Sequence, residues 1–311
     1  MRVVFLGSGA FAVPSLEALL DAGHEVAALV TQPDREKGRG RALAATPAKV
    51  VAERRGVPVL QPPRIKQPEA IEQVRALHPD VQVVVAYGQI LPRIVIDIPP
   101  LRTVNVHSSL LPRYRGAAPI QWAVVNGESE TGVTTMLIDE GLDTGPTLLA
   151  RSTQVGPEET APELEVRLAA LGAEILLETL DGLARGTLTA QPQDHAQATL
   201  APILKKEDGR IDWARPAEEI ARRVRGLLPW PGTVTSTAEG DLKVLRARAE
   251  APAAADAPPG TVISYDREGI LVAAGGGTRL RLLDVQPESR RPMSAAAFAA
   301  GARLRPGARL V

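Results

Sequence analysis

The sequence predicts two domains: an α/β domain on a doubly wound, mostly parallel sheet, then a small antiparallel β-barrel. Three observations carry this expectation. Through the first half, short, near-continuous apolar runs alternate with helical patterns, the mark of strands buried on both faces and joined by crossover helices. After Gly186 the texture turns polar and irregular, and beyond it short strand-like runs are separated by Gly/Pro-rich turns. A chain of 311 residues is also long for one ordinary domain.

The elements follow in order from local pattern. Residues 2–6 read as a buried strand running into Gly7 and Gly9. A helical stretch over 14–19 opens on Pro14 and stops at Gly23, since proline suits the first turn and glycine the residue past the last. Residues 25–30 form the second strand. Thr46-Pro47 is an N-cap with a first-turn proline, opening a helix that ends near Gly56. Strands are expected at 57–60, 81–86 and 103–106, with a helix over 67–77 between the first two. Residues 131–138 and 146–152 read as a strand pair around a glycine-containing loop, and a long helix runs from a cap at Thr160 to about Leu183. Further on, a helix over 217–227 precedes short strands near Thr233, over 241–248, near Thr261 and Ile270, and over 279–285. Pro258-Pro259-Gly260 and Gly275-Gly276-Gly277 are turns between them, and the Ala/Pro stretch 251–259 is a loose loop. The first pattern is Rossmann-like and the second OB-like. The expected boundaries are 1–187 for the first domain, 188–205 for a linker and 206–311 for the barrel.

Composition excludes several classes. With 44% hydrophobic and 23% charged residues, the chain reads as globular, not disordered. Cysteine is absent, which removes disulfides, thiolate zinc sites and a cysteine nucleophile. The N-terminus lacks the apolar core of a signal peptide, and no apolar run reaches the length of a membrane span, so the cytoplasm is the expected compartment. Lys plus Arg equals Asp plus Glu at 36 each. A nucleic-acid partner must therefore be held by local basic clusters and not by bulk charge.

Two motifs compete for the chemistry. Gly7-Ser8-Gly9-Ala10-Phe11-Ala12 fits G-x-G-x-x-G/A between a strand and a helix, and Asp34 lies at the distance of a ribose contact. This supports an NAD-dependent oxidoreductase as the rival reading, although any tight strand-to-helix turn calls for such glycines. The richer segment is Asn105-Val106-His107-Ser108-Ser109-Leu110-Leu111-Pro112-Arg113-Tyr114-Arg115-Gly116. Asn105 and His107, two apart at a strand end, project from one face at the sheet edge where α/β folds bind ligands. An amide donor beside an imidazole can polarise a carbonyl and hold its oxyanion. Thr131-Gly132-Val133-Thr134 leads to Asp139-Glu140-Gly141-Leu142-Asp143-Thr144-Gly145, which brings carboxylates on a glycine-rich loop within reach of the imidazole.

Together these motifs resemble the folate-dependent formyltransferases, most fully those acting on methionyl-tRNA. The resemblance extends through Val84-Ala86-Tyr87-Gly88-Gln89-Ile90-Leu91-Pro92, Arg115 to Gln121, Ile211-Asp212-Trp213, Pro229-Trp230-Pro231 and Pro306-Gly307. It implies that Asn105, His107 and Asp143 are catalytic and that Ser109, Leu110, Leu111 and Pro112 form the folate loop, with Gly88 to Leu91 walling the pterin pocket. It further implies 10-formyltetrahydrofolate as co-substrate, no permanently bound cofactor or metal, and a monomer needing no obligate protein partner. The chain departs from the family pattern at Ser8-Gly9, where Thr-Pro is more frequent, and at Ser108, where glycine is. Residues 32–41 form a glycine-punctuated basic loop in which the resemblance assigns Arg39 to the tRNA acceptor end. Lys205-Lys206, Arg222-Arg223-Val224-Arg225 and Arg290-Arg291 are the basic clusters available in the barrel. A folate enzyme with a small amine acceptor would use the same trio and leave the basic loop and barrel idle.

Overall fold

The computed structural model describes residues 1–37, 42–250 and 257–311. It divides into two compact units. The first comprises Met1–Pro119, Glu130–Thr153 and Glu165–Ala201; the second comprises Ile120–Ser129, Gln154–Leu164 and Pro202–Val311.

Among the described residues, the first unit is built on a seven-stranded sheet: β1 (Arg2–Gly7), β2 (Glu25–Val30), β3 (Val59–Leu60), β4 (Val81–Val85), β5 (Thr103–His107), β6 (Glu130–Leu137) and β7 (Thr147–Gln154), in the order β7-β6-β5-β4-β1-β2-β3. The pairs β1/β2, β1/β4, β2/β3 and β4/β5 are parallel, and β5/β6 is antiparallel. The apolar runs expected as doubly covered strands are so: Val3, Val4, Phe5 and Leu6 are fully buried, as are Val81, Val83 and Val85. Strand order reverses between β1 and β4, and the crevice outside their carboxyl ends is where such sheets bind ligands.

Helix boundaries follow the signals read from sequence. Thr46 accepts a hydrogen bond from the Lys49 amide at 3.2 Å and caps the helix Pro47–Arg54. The long helix is Ala161–Arg185, and Thr160 and Glu163 form a reciprocal capping box at its start. Those bonds from Thr160, backbone first and hydroxyl second, also hold the Glu163 carboxyl below its ordinary range.

Residues 188–201, read from sequence as linker, are part of the first unit. Leu200–Ala201 pairs in parallel with Arg115–Gly116, and the Thr199 hydroxyl accepts from the Tyr114 amide at 2.8 Å. Local polarity had concealed this, because the stretch is fixed by long-range pairing and has no periodic face of its own.

The second unit carries an antiparallel sheet of β8 (Thr233–Thr237), β9 (Gly240–Ala249), β10 (Val262–Asp266), β11 (Gly269–Ala273) and β12 (Arg279–Pro287), ordered β8-β9-β12-β11-β10. The segment 307–311 bonds to both edges: the Val262 amide donates to the Ala308 carbonyl, and the Ser236 amide to that of Val311. The sheet thereby closes into the expected small barrel. Its core includes Trp213, whose indole N–H reaches the Thr235 hydroxyl at 3.0 Å, with Ile220, Val244, Leu282 and Phe298.

Candidate active site

The site forms at the carboxyl end of β5. Val104 and Val106 are buried while Asn105 is half-buried, which follows from strand alternation. The Asn105 amide has no hydrogen-bond partner among the described residues, so both of its N–H donors are available.

His107 is buried and held on two sides. Its Nε2 lies 2.9 Å from the Tyr114 carbonyl. A carbonyl only accepts, so Nε2 carries the hydrogen and Nδ1 is the atom free to exchange a proton. Nδ1 lies 3.7 Å from Asp143 Oδ2, an ion-pair distance too long for a direct hydrogen bond. Asp143 Oδ2 accepts from the Gly116 amide at 2.9 Å.

The backbone here is unusual. Ala86, Tyr114 and Asp143 all have positive φ, at 47°, 58° and 52°. Such residues cost of order 1–3 kcal/mol each and persist only where the surroundings over-determine them. All three lie on loops after β4, after β5 or between β6 and β7.

The loop 139–145 shows how its glycines work. Asp139 Oδ1 accepts from the Gly141 amide at 3.0 Å and the Thr144 hydroxyl at 2.7 Å, closing a tight turn. A Cβ on Gly145 would run into the Leu137 carbonyl oxygen, so only glycine lets the chain pass there. Asp139 is thus committed to the turn, whereas Asp143 is the carboxylate of the loop that faces the His107 ring.

The loop 109–112 is pinned from beneath. Ser109 is 1% exposed, and its hydroxyl donates to the Arg113 carbonyl at 2.6 Å. Of the four expected folate-loop residues, Leu110, Leu111 and Pro112 are partly exposed, whereas Ser109 closes the loop internally. Thr134, fully buried, donates to the Ser109 carbonyl at 2.7 Å and accepts from the Leu111 amide at 3.1 Å. Gly132 gives room for the Leu110 side chain, 2.6 Å from where its Cβ would stand. These contacts account for Gly132 and Thr134 in the Thr-Gly-Val-Thr segment. Beyond β4, Gln89 bonds back to the Ile65 amide at 2.8 Å, while Ile90 is 92% exposed and Leu91 is buried.

At the β1/β4 switch point a cleft of about 410 Å³ is lined by Ser8, Gln32, Thr46, Ala86 and Gly88 among others. The glycine loop that borders it lacks the free carboxylate at position 34 that a dinucleotide site would use. Gly7 is required, since a Cβ would sit 2.6 Å from the Phe5 ring, but one on Gly9 would meet only Ala86 at 3.7 Å. Asp34, the expected ribose partner, is taken by Lys49 Nζ and Gln61 Nε2, each at 2.7 Å. These two bonds, Lys49 foremost, lower its pKa.

Arg39 lies outside the described residues; the strands on either side of it in sequence, Arg35–Lys37 and Ala42–Ala44, pair antiparallel. In the barrel clusters, Arg223 donates to the Asp208 carbonyl at 2.7 Å, and Arg222 and Arg225 each have a buried Nε. Lys205, Lys206, Arg290 and Arg291 are exposed. Among the described residues no three His, Cys, Asp or Glu side chains gather as a metal site, and no helix is long and apolar enough to cross a membrane. Sequence reasoning missed Thr134, the Tyr114 carbonyl, the Gly116 amide and Gln193. The first was quoted in a motif and could have been asked what it bonds; the others carry no local signal.

A family model described as "Formyl transferase" matches residues 1–180, and one described as "Formyl transferase, C-terminal domain" matches residues 203–303. The methionyl-tRNA formyltransferase of Solibacter usitatus (strain Ellin6076) is 56% identical over 304 residues, 98% of this chain and 96% of its own length. That of Citrifermentans bemidjiense (strain ATCC BAA-1014 / DSM 16622 / JCM 12645 / Bem) is 51% identical over 307 residues, 99% of this chain and 95% of its own. Among solved structures, HypX from Aquifex aeolicus in complex with tetrahydrofolic acid has a similar fold, with TM-score 0.66 at 18% identity, over 96% of this chain and 47% of that one.

Proposed function

The chain belongs to the formyl transferase family, and from that premise we propose that it moves the formyl group of 10-formyltetrahydrofolate to the α-amino group of methionyl-tRNA. One observation carries the acceptor: similarity to relatives bearing that name runs through both units, over 98% of the chain. The reaction belongs to the initiation of protein synthesis, hence to the cytoplasm.

The chemistry follows from the geometry. An α-amino group has an unperturbed pKa of about 7.7–8.0, so the neutral nucleophile is readily available near neutrality. Its attack on the formyl carbon gives a tetrahedral oxyanion. Asn105 donates to that oxygen from its unpartnered amide. His107 donates only from Nδ1, because Nε2 is committed to Tyr114, so it stabilises the oxyanion as imidazolium, with Asp143 as counter-charge. Collapse breaks the bond from carbon to the folate nitrogen, and the proton lost by the amine is taken by the Asp143 carboxylate and passed to that nitrogen. The carbon keeps its oxidation level throughout, so the reaction calls for no redox cofactor, and direct attack by the acceptor amine needs no covalent enzyme intermediate. Leu110, Leu111 and Pro112 face the folate, and Arg39 contacts the tRNA acceptor end.

The direct test is formyl transfer to methionyl-tRNA against free methionine, together with thermal shifts. Transfer to the charged tRNA is expected, with a Tm raised by a tetrahydrofolate analogue and not by NAD or NADP, since only a ligand of the native state stabilises it. Transfer to the free amino acid at an equal rate would overturn the tRNA reading.

A second expectation concerns Thr134→Val. The change leaves the buried Ser109 carbonyl and Leu111 amide without their partner, at about 1–3 kcal/mol for each unpaired group. The Tm falls and a folate analogue binds more weakly, while turnover at saturating folate stays close to normal. Unaltered folate affinity in calorimetric titration would detach residues 109–112 from the folate site.

A further inference from the structure

We propose that Gln193, held by the buried Arg115, is a positioning residue that fixes Asp143 for the reaction; the inference rests on the formyl-transfer reading above. Gln193 is 8% exposed and lies 50 residues beyond Asp143 in sequence. Its Nε2 donates to the Asp143 carbonyl at 2.9 Å and the Gly145 carbonyl at 2.7 Å. Its Oε1 accepts from Arg115 Nε at 3.1 Å and Nη2 at 2.6 Å. Both amide hydrogens and both oxygen lone pairs are therefore used, and the partners leave only one orientation of the amide group.

Arg115 completes the device. It is 6% exposed, and its partners among the described residues are Gln193 and His195 Nδ1, with no carboxylate in ion-pair contact. A buried guanidinium that gives two N–H groups to one amide oxygen holds that amide firmly. The next residue, Gly116, donates its amide to the Asp143 carboxylate itself. Residues 115 and 116 thus grip Asp143 at both ends, one directly at the side chain and one through Gln193 at the backbone. The grip matters because Asp143 stands at φ 52°, a conformation that a non-glycine residue leaves unless held. Bonds to two carbonyls of the turn, 143 and 145, fix the direction in which the carboxylate faces His107 Nδ1.

A purely structural role predicts lost stability alone, so the test separates position from stability. Gln193→Leu removes all four bonds. Gln193→Glu keeps a partner for Arg115 but sets oxygen against the two carbonyl oxygens, and serves if the leucine variant folds poorly. In each, kcat is expected to fall by about 10–10²-fold, since misplacing a reacting group by about 1 Å costs on this order. KM for folate and for methionyl-tRNA should stay within about twofold. In an Asp143→Asn background the same substitution should cost little more, because residues acting as one unit are non-additive. Hydrogen exchange gives a readout independent of turnover: the Gly116 amide, bonded to Asp143, should exchange at least about tenfold faster in Gln193→Leu, while amides of β1 keep their protection. Equal losses with and without the Asp143 carboxylate, or unchanged kcat and Gly116 exchange in a folded variant, would overturn the inference. A wild-type protein without transfer activity overturns the reading of function instead, and the exchange measurement still decides the role of Gln193.

Discussion

Asn105→Ala is expected to lower turnover by about 10²–10³-fold, the usual worth of one donor to an oxyanion. The physical case is clean because the Asn105 amide is half-buried at the end of β5 and has no protein partner among the described residues. Its removal therefore leaves nothing unpaired, and the melting temperature should hardly move. His107→Ala should lose a similar factor, but it also strips the Tyr114 carbonyl of its 2.9 Å partner and so lowers stability as well. The asparagine variant is the better probe for that reason. Steady-state kinetics with methionyl-tRNA and 10-formyltetrahydrofolate decide the matter. A well-folded Asn105→Ala enzyme with near wild-type kcat would remove Asn105 from the oxyanion site.

The second large effect is expected from Gly145→Ala, a change that touches no reacting group. The added Cβ collides with the backbone carbonyl of Leu137, which cannot swing aside as a flexible side chain would. The loop that carries Asp143 must move instead. Because a displacement of about 1 Å can cost on the order of 10²-fold, turnover should fall by roughly that factor although every catalytic side chain is present. Asp143→Asn makes the complementary change: an amide oxygen can still accept from the Gly116 amide, so the loop stays, but the charge facing His107 Nδ1 is lost. Both variants should be slow, and only the glycine variant should show altered backbone near residue 137. If Gly145→Ala retains full turnover, the position of the carboxylate does not limit the rate.

Much of this was legible in the sequence. The apolar runs at 2–6 and 81–86 could only be strands covered on both faces, and Thr46-Pro47 and Thr160 could be read as caps because capping chemistry is local. Asn105 and His107 could be paired because strand alternation puts residues two apart on one face. The Gly7–Ala12 turn misleads in the same local way: its glycine spacing is right for a nucleotide loop, and only the tertiary contact of Asp34 with Lys49 and Gln61 tells against that reading.

What the tertiary structure alone decided is of another kind. Segments 120–129 and 154–164, which lie between segments of the first unit in sequence, join the second unit, and the polar stretch 188–201 joins the first. Ser109 turns inward to close its own loop, and Thr134 pins that loop from a neighbouring strand. His107 is oriented by a backbone carbonyl and Asp143 by a backbone amide, groups that every residue but proline has and that leave no trace in the amino-acid code. Gln193 reaches its partners across 50 and 78 residues of chain. The sequence by itself determined which elements form and which side chains are candidates for the chemistry, because those depend on propensity and spacing over a few residues. Which backbone groups and distant amides hold the reactive side chains in place depends on how the closed chain pairs its buried polar groups, and that becomes readable only once it has folded.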